Sequence, residues 1–297
     1  MEYRSLGNTG WAVSTLGFGC MSLTGSKEES VQLISEAVNG GINFFDTADL
    51  YEKGENEKLV GLALKPFRKA VFLATKAGNQ WRADGSGWDW NPGRDYILRC
   101  AEESLKRLQT DYIDLYQLHG GTIEDNIDET IEAFELLKQQ GKIRHYGISS
   151  IRPNVIREYV KRSSIESVMV QYSLLDRRPE EALLPLLKEH HKGVLVRGAL
   201  AQGLLINKPA KEYTGHAAKT VETIQDRVKQ LAAANQITAQ QLALNYVWNN
   251  PAVTTVIAGI RTREQLQQLM AIATVPGKDL TAALQAVAPS TFYEQHR

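Results

Sequence analysis

The stretch Phe44-Phe45-Asp46-Thr47-Ala48-Asp49-Leu50-Tyr51 runs from apolar residues into polar chemistry. Ile42 to Phe45 has the length and composition of a buried strand. The run stops at Asp46, and Tyr51 follows. Two further runs end alike: Val71-Phe72-Leu73-Ala74-Thr75 stops at Lys76, and Ile113-Asp114-Leu115-Tyr116-Gln117-Leu118 stops at His119. An acid, a phenol, an amine and an imidazole at the carboxyl ends of separate strands predict a proton-handling site at the mouth of a parallel barrel.

Outward from these runs the chain alternates. Tyr3-Arg4 and Ala12-Val13 flank the turn Gly7-Asn8-Thr9-Gly10 and predict a hairpin over residues 1–15. A strand is expected from Leu16 to Met21, then a helix from about Lys27 to Val38 that Gly40-Gly41 closes. Helices are expected near Asn56–Leu64 and Arg94–Leu108, with a long polar and aromatic loop before the second. Strand 113–118 leads to helix 126–140, and strand Ile143 to Ile148 to a helix opened by Pro153, a favoured first-turn residue. Strand Ser167 to Gln171 precedes helix 179–190, and strand Gly193 to Val196 precedes helices at about 217–234 and 238–249. Strand Val253 to Ile257 and a helix near 262–272 end the series. Eight strand–helix units without a linker predict a single (β/α)₈ barrel spanning residues 1–297, with an N-terminal hairpin. A doubly wound sheet that binds a dinucleotide normally carries G-x-G-x-x-G after its first strand, and Gly17-Phe18-Gly19-Cys20-Met21-Ser22 does not fit that pattern.

Bulk properties narrow the function classes. The chain has 297 residues, 43% of them hydrophobic, with 34 basic and 34 acidic side chains and no long run of either sign. That balance argues against nucleic acid or an anionic membrane as partner. No apolar run approaches the roughly 18 residues of a membrane span, and the N-terminus lacks a signal peptide's apolar segment. Cys20 and Cys100 are far apart, which suits a reducing compartment. A cytoplasmic protein is expected. His145, His190, His191, His216 and His296 have no ligand spacing, so no metal is expected.

The four strand-end residues have a chemical logic. A phenol with a pKa of about 10 is a poor acid at neutral pH. A lysine ammonium within hydrogen-bond reach favours the phenolate, and a carboxylate keeps that ammonium charged and aimed. A histidine beside the phenol orients a substrate oxygen. Any one of the four, taken alone, reads as packing or a structural ion pair; together at one barrel mouth they read as a site. It would protonate a carbonyl oxygen while hydride reaches the carbon. No side chain donates hydride, so a nicotinamide is implied.

Phe44 to Tyr51, followed by Gly54-Glu55-Asn56-Glu57-Lys58-Leu59-Val60-Gly61, resembles the first signature of the aldo-keto reductases. Thr75-Lys76, Asp111 to His119, and Gly141-Lys142-Ile143-Arg144-His145-Tyr146-Gly147-Ile148-Ser149-Ser150 continue the likeness in order, from the hairpin to about residue 270. The resemblance implies Tyr51 as general acid, Lys76 and Asp46 as its tuning pair, and His119 as the carbonyl-orienting residue. It also implies NAD(P)H stretched across the barrel mouth. Ser149, Ser150 and Gln171 fall on nicotinamide-amide positions, with Ser150 where Asn is common. Cys20, Met21 and Asp46 would border the cofactor. Arg197, Gly198, Leu200, Gln202 and Gly203 lie in the run resembling the pyrophosphate belt. Arg197 stands where many members stack a tyrosine, and either stacking or a substrate contact is open to it.

Gly259, Arg261 and Gln265 fall at the adenosine end, where Arg261 suits a 2′-phosphate at a helix start. Arg263 reads as surface charge, and Leu269 replaces a common Asn. The loop from Gln80 to Trp90 brings Trp81, Trp88 and Trp90 towards the mouth, as an aromatic substrate wall or as loop packing. Trp81 and Trp88, with Tyr51 and His119, are the substrate candidates. The expected function is NADPH-dependent reduction of a small aldehyde or ketone, with NADH also open. Two alternatives stand beside it: an NAD(P)-dependent dehydrogenase oxidising a sugar or other alcohol, and a nucleotide-sensing subunit with little turnover. Oligomeric state is not readable.

Overall fold

The computed structural model describes residues 1–273 and 279–297. In chain order its elements are β1 (Tyr3–Ser5), β2 (Ala12–Ser14), β3 (Leu16–Gly19), α1 (Lys27–Asn39), β4 (Phe44–Asp46), α2 (Glu55–Leu64), β5 (Phe72–Ala77), β6 (Asn79–Trp81) and β7 (Trp88–Trp90). Then come α3 (Arg94–Leu108), β8 (Ile113–Leu118), α4 (Ile127–Gln139), β9 (Ile143–Ser149), α5 (Pro153–Arg162), β10 (Ser167–Gln171), α6 (Leu183–Glu189) and β11 (Gly193–Arg197). The chain continues with α7 (Ala218–Ala234), α8 (Ala239–Trp248), β12 (Val253–Gly259), α9 (Arg263–Ala273) and α10 (Thr281–Val287). Strands β3, β4, β5, β8, β9, β10, β11 and β12 close in that order into a parallel barrel. The fold is a (β/α)₈ barrel.

Two apolar layers hold it. The larger lies between the strands and the surrounding helices. The smaller fills the barrel axis with Phe44, Ala74, Leu115, Met169, Leu195 and Ile257, and Leu6 and Val13 of the hairpin plug its lower end. Side chains alternate along a strand, so the residue two positions after each axial one also faces inward. Asp46, Lys76, Gln117, Gln171, Arg197 and Gly259 occupy those positions. The packing register thus delivers polar side chains, and at Gly259 bare backbone, to the mouth.

Helix limits follow local chemistry. Ser26 and Glu29 form a reciprocal capping box at the start of α1, and Pro153 opens α5. Several sequence expectations need correction. The strand begun at Leu16 ends at Gly19, because Cys20–Ser22 turns into a single 3₁₀ turn. The helix expected over 179–190 shrinks to Leu183–Glu189. Arg177 binds Glu180, and Arg178 binds Asp176, which fixes a separate turn ahead of it. The aromatic loop contains the hairpin β6–β7, with Trp81 opposite Trp88. Helix α10 has no counterpart among the expected elements.

Helices α2 and α3 approach closely at Gly61, where an added Cβ would lie 2.4 Å from the Leu108 carbonyl oxygen. A backbone atom cannot swing aside. Gly61→Ala is expected to lower unfolding free energy by about 1–3 kcal/mol, read as a lower urea midpoint; an unchanged midpoint refutes this close packing.

Candidate active site

Strand β4 ends at Asp46 and β5 passes Lys76, and the two strands pair in register, Asp46 opposite Ala74. That register brings Lys76 Nζ to 2.6 Å from Asp46 Oδ2, with both side chains buried. Nζ also donates to the Thr47 carbonyl at 2.8 Å and reaches the Tyr51 hydroxyl at 3.4 Å. Tyr51 stands on the turn after β4 and meets His119 edge to face, ring centroids 6.0 Å apart. Tyr51, Lys76 and His119 line one cavity of about 550 Å³ at the carboxyl ends of the strands.

Charge in this site is set by counter-ions. Burial opposes the charge on Lys76, but Asp46 and Tyr51 outweigh it and raise its pKa. Burial pushes Asp46 up, against Lys76 and a 3.3 Å bond from Gln117 Nε2. With two donors on the carboxylate and two acceptors beside the amine, the pair is ionic. His119 has no such partner: burial, then Lys76 and Arg197, push its pKa down to about 3. It is a neutral imidazole at ordinary pH. Its Nδ1 is buried without a hydrogen-bond partner. A proton there would be an orphaned donor, so the proton belongs on Nε2, open to the cavity.

A second buried cluster holds the Tyr51 turn from behind. Arg107 packs beneath Gly54, where a Cβ would lie 2.7 Å from its Cδ, and Gly54 adopts a left-handed φ of 90° that suits glycine. The same guanidinium donates to Glu57 at 2.6 Å, and Glu57 accepts from Thr75 at 2.6 Å. Asp49 lies beside them. Burial, helped by Glu57 and opposed by Arg107, pushes its carboxyl up to about 7. Asn56 ties Thr47 to the Cys20 carbonyl.

The remaining candidates spread around the rim. Met21, Ser149, Ser150 and Arg197 line the cavity with Tyr51. Gln171 Nε2 donates to Asp176 at 2.8 Å, and its Oε1 accepts from Arg197 at 2.9 Å. Gly198 and Gly203 take left-handed φ values, 75° and 92°, and Leu200 packs against the core. Gln202 is exposed and bonded by Lys211. A Cβ on Gly259 would lie 2.3 Å from Ser22 Oγ. Arg261, Thr262, Arg263 and Glu264 line a separate pocket of about 360 Å³ with α1. There Gln265 accepts from the Arg261 backbone, and Arg263 pairs with Glu36.

This geometry can be compared with known proteins. The model of the Aldo/keto reductase family matches residues 15–283. The chain belongs to this family. It is 47% identical over its whole length, and the relative's, to the uncharacterized oxidoreductase YqkF of Bacillus subtilis. It is 30% identical to the NADH-specific methylglyoxal reductase of Escherichia coli, covering 96% of this chain and 97% of that one. It is also similar to the holo form of the aldo-keto reductase AKR11C1 from Bacillus halodurans, at 46% identity and TM-score 0.95, covering 100% of this chain and 99% of that chain. The apo form of that protein gives a lower TM-score, 0.87. This aldo-keto reductase is an NAD(P)H-dependent oxidoreductase.

Not every candidate residue of the reductase borders the cavity. The Cys20 side chain is fully buried and does not reach the cavity. Trp81 does not line it, whereas Trp88 and Trp90 do. Leu269 is core. Residues that sequence reasoning passed over include Gln117, Asn79, Arg152 and the Asp49–Glu57–Arg107 cluster. The period-two register from Leu115 points to Gln117. Nothing local in the sequence marks Arg152 or Arg107.

The folded-state pKa of His119 lies below its ordinary 6.5, so its share of stability is present above pH 6.5 and is lost as pH falls towards 3. NMR titration of this ring is expected to show a neutral imidazole throughout pH 5–8. A midpoint near 6 or 7 would refute its burial beside cations.

Proposed function

We propose that the chain reduces aldehydes or ketones to alcohols with NADPH, and that Tyr51 delivers the proton to the carbonyl oxygen. The observation that carries this is the Tyr51 hydroxyl within reach of a buried, carboxylate-paired ammonium, beside a neutral imidazole in one cavity. A bound nicotinamide supplies the hydride. Tyr51 and His119 Nε2 hold the carbonyl oxygen, and the phenol proton moves to that oxygen as its charge develops. Lys76 stabilises the phenolate left behind, and Asp46 keeps the ammonium charged and pointed. In oxidation the same groups run in reverse.

The donor set fits an extended dinucleotide. Ser149, Ser150 and Gln171 offer amide partners, and Arg197 a flat cation beside them. The backbone at Gly198, Leu200, Gln202 and Gly203 would hold the pyrophosphate. Gly259, Arg261 and Gln265 would hold the adenosine end. The NADH-specific relative means that family membership alone does not decide the 2′-phosphate. Arg261 argues for it. In its pocket Glu36 is committed to Arg263 and Glu29 to the α1 cap, while Arg261 has no ion pair among the described residues.

Two substitutions test this. Tyr51→Phe should lower kcat by roughly 10³-fold while the Kd for NADPH changes little; retained turnover refutes the acid role. Arg261→Ala should raise the Kd for NADPH by about 10-fold or more and leave that for NADH unchanged. Equal effects on both cofactors would refute a phosphate contact.

A further inference from the structure

The ionised side chains lining the Tyr51 cavity are Lys76, Arg152 and Arg197, all cations, and no carboxylate among the described residues lines it. Lys76 is already balanced by Asp46. Arg152 and Arg197 have no ion pair among the described residues. Arg197 spends a donor on Gln171, at the end of the cavity assigned above to nicotinamide. Arg152 is different. It sits on the turn between β9 and α5, half-buried, with its backbone N–H donating to Ser150 Oγ at 3.2 Å. Its guanidinium donates to the Gly121 carbonyl from the loop after β8. A guanidinium has five N–H donors in a planar fork, and this one, which lines the cavity, spends one on Gly121.

The wall beside it is held rigidly. Trp90 Nε1 donates to Asp125 at 2.9 Å. A Cβ on Gly78 or Gly120 would lie within 2.8 Å of the Trp90 ring, so two glycines make room for it. Trp88 also lines the cavity and is half-exposed. The cavity therefore combines a fixed aromatic surface with a cation that lacks a counter-charge. Drawing a guanidinium out of bulk water is unfavourable until an anion meets it, and its fork matches a carboxylate bidentately.

We propose that Arg152 is the anion-recognising residue of the substrate cavity, and that preferred substrates are carbonyl compounds carrying a carboxylate. This rests on the carbonyl-reduction reading. Tyr51 and His119 take the carbonyl end, the tryptophans flank the body, and Arg152 takes the acid.

The test compares 4-carboxybenzaldehyde with 4-carbamoylbenzaldehyde, matched in size, in wild type and in Arg152→Gln and Arg152→Lys, with the mutants read as changes in the ratio of the two. In wild type kcat/KM for the acid should exceed that for the amide by about 10- to 100-fold. The ratio should fall to near one in Arg152→Gln and be partly restored in Arg152→Lys. Added salt should lower the acid's kcat/KM in wild type and not in Arg152→Gln. A role confined to bridging the two loops moves both substrates together and leaves the ratio alone, so an unchanged ratio in Arg152→Gln overturns the assignment. Turnover of both aldehydes without preference in wild type overturns the subsite and leaves the reductase reading standing. Turnover of neither overturns that reading and the subsite with it.

Discussion

A lysine buried to 1% exposure is tolerable only because Asp46 and the Thr47 carbonyl meet its ammonium. An unpaired charge in that position would neutralise or unfold its surroundings. The pair in turn requires β4 and β5 to hold their register, because a one-residue slip would send Lys76 to the opposite face. Each strand is kept in place by its axial residue, Phe44 on β4 and Ala74 on β5. Packing of the barrel axis and chemistry at its mouth are therefore one constraint read at two heights.

That coupling explains why much of the architecture was legible in the sequence. Apolar runs ending in Asp46, Lys76 and His119 gave both the strands and their polar ends, since a strand that fills the axis must surface at the mouth. The ends of α3 and α4 lie where the periodicity puts them because Gln109 and Gly141, at or just beyond those ends, take left-handed conformations. What stayed illegible depends on distant partners. Trp81, Trp88 and Trp90 look equivalent along the chain. Only the hairpin register, and the seat that Gly78 and Gly120 provide, make Trp90 an anchored wall and leave Trp81 beneath Lys53. Arg107 lies 50 residues from Glu57, and no local pattern forecasts their meeting. The Cys20 side chain is buried because the 3₁₀ turn that follows Gly19 points it into the core and Met21 outward.

The two sides of the cavity differ in how firmly they are built. Behind Tyr51 a network of buried polar side chains is tied together, Thr47 with Asn56, Glu57 with Thr75 and Arg107, Asp46 with Lys76 and Gln117, while Asp49 Oδ1 and Gln117 Oε1 lack a partner. Such a network fixes side chains at low dielectric, where geometry matters most. Across the opening, Met21 and Trp88 are well exposed, and Arg197 rests on one bond to Gln171. A rigid floor with an adaptable rim suits a site in which the reacting oxygen is held closely and the rest of the ligand varies.

Lys76 and His119 share this floor and burial acts against charge on both, yet they end in opposite states. The difference is the sign of what lies nearby. Lys76 faces a carboxylate at 2.6 Å, whereas the charges felt by His119 are Lys76 itself and Arg197. One acid thus bears on three groups: it holds the ammonium charged, the charged ammonium adds to the burial that keeps the imidazole neutral, and both border the phenol. Removing the Asp46 carboxylate would take the counter-charge from a fully buried amine, which burial would then drive towards neutrality. The field on His119 would weaken, and Tyr51 would lose the cation beside its oxygen. Asp46, Lys76 and His119 cannot be interpreted one at a time, because the charge on each acts on the next.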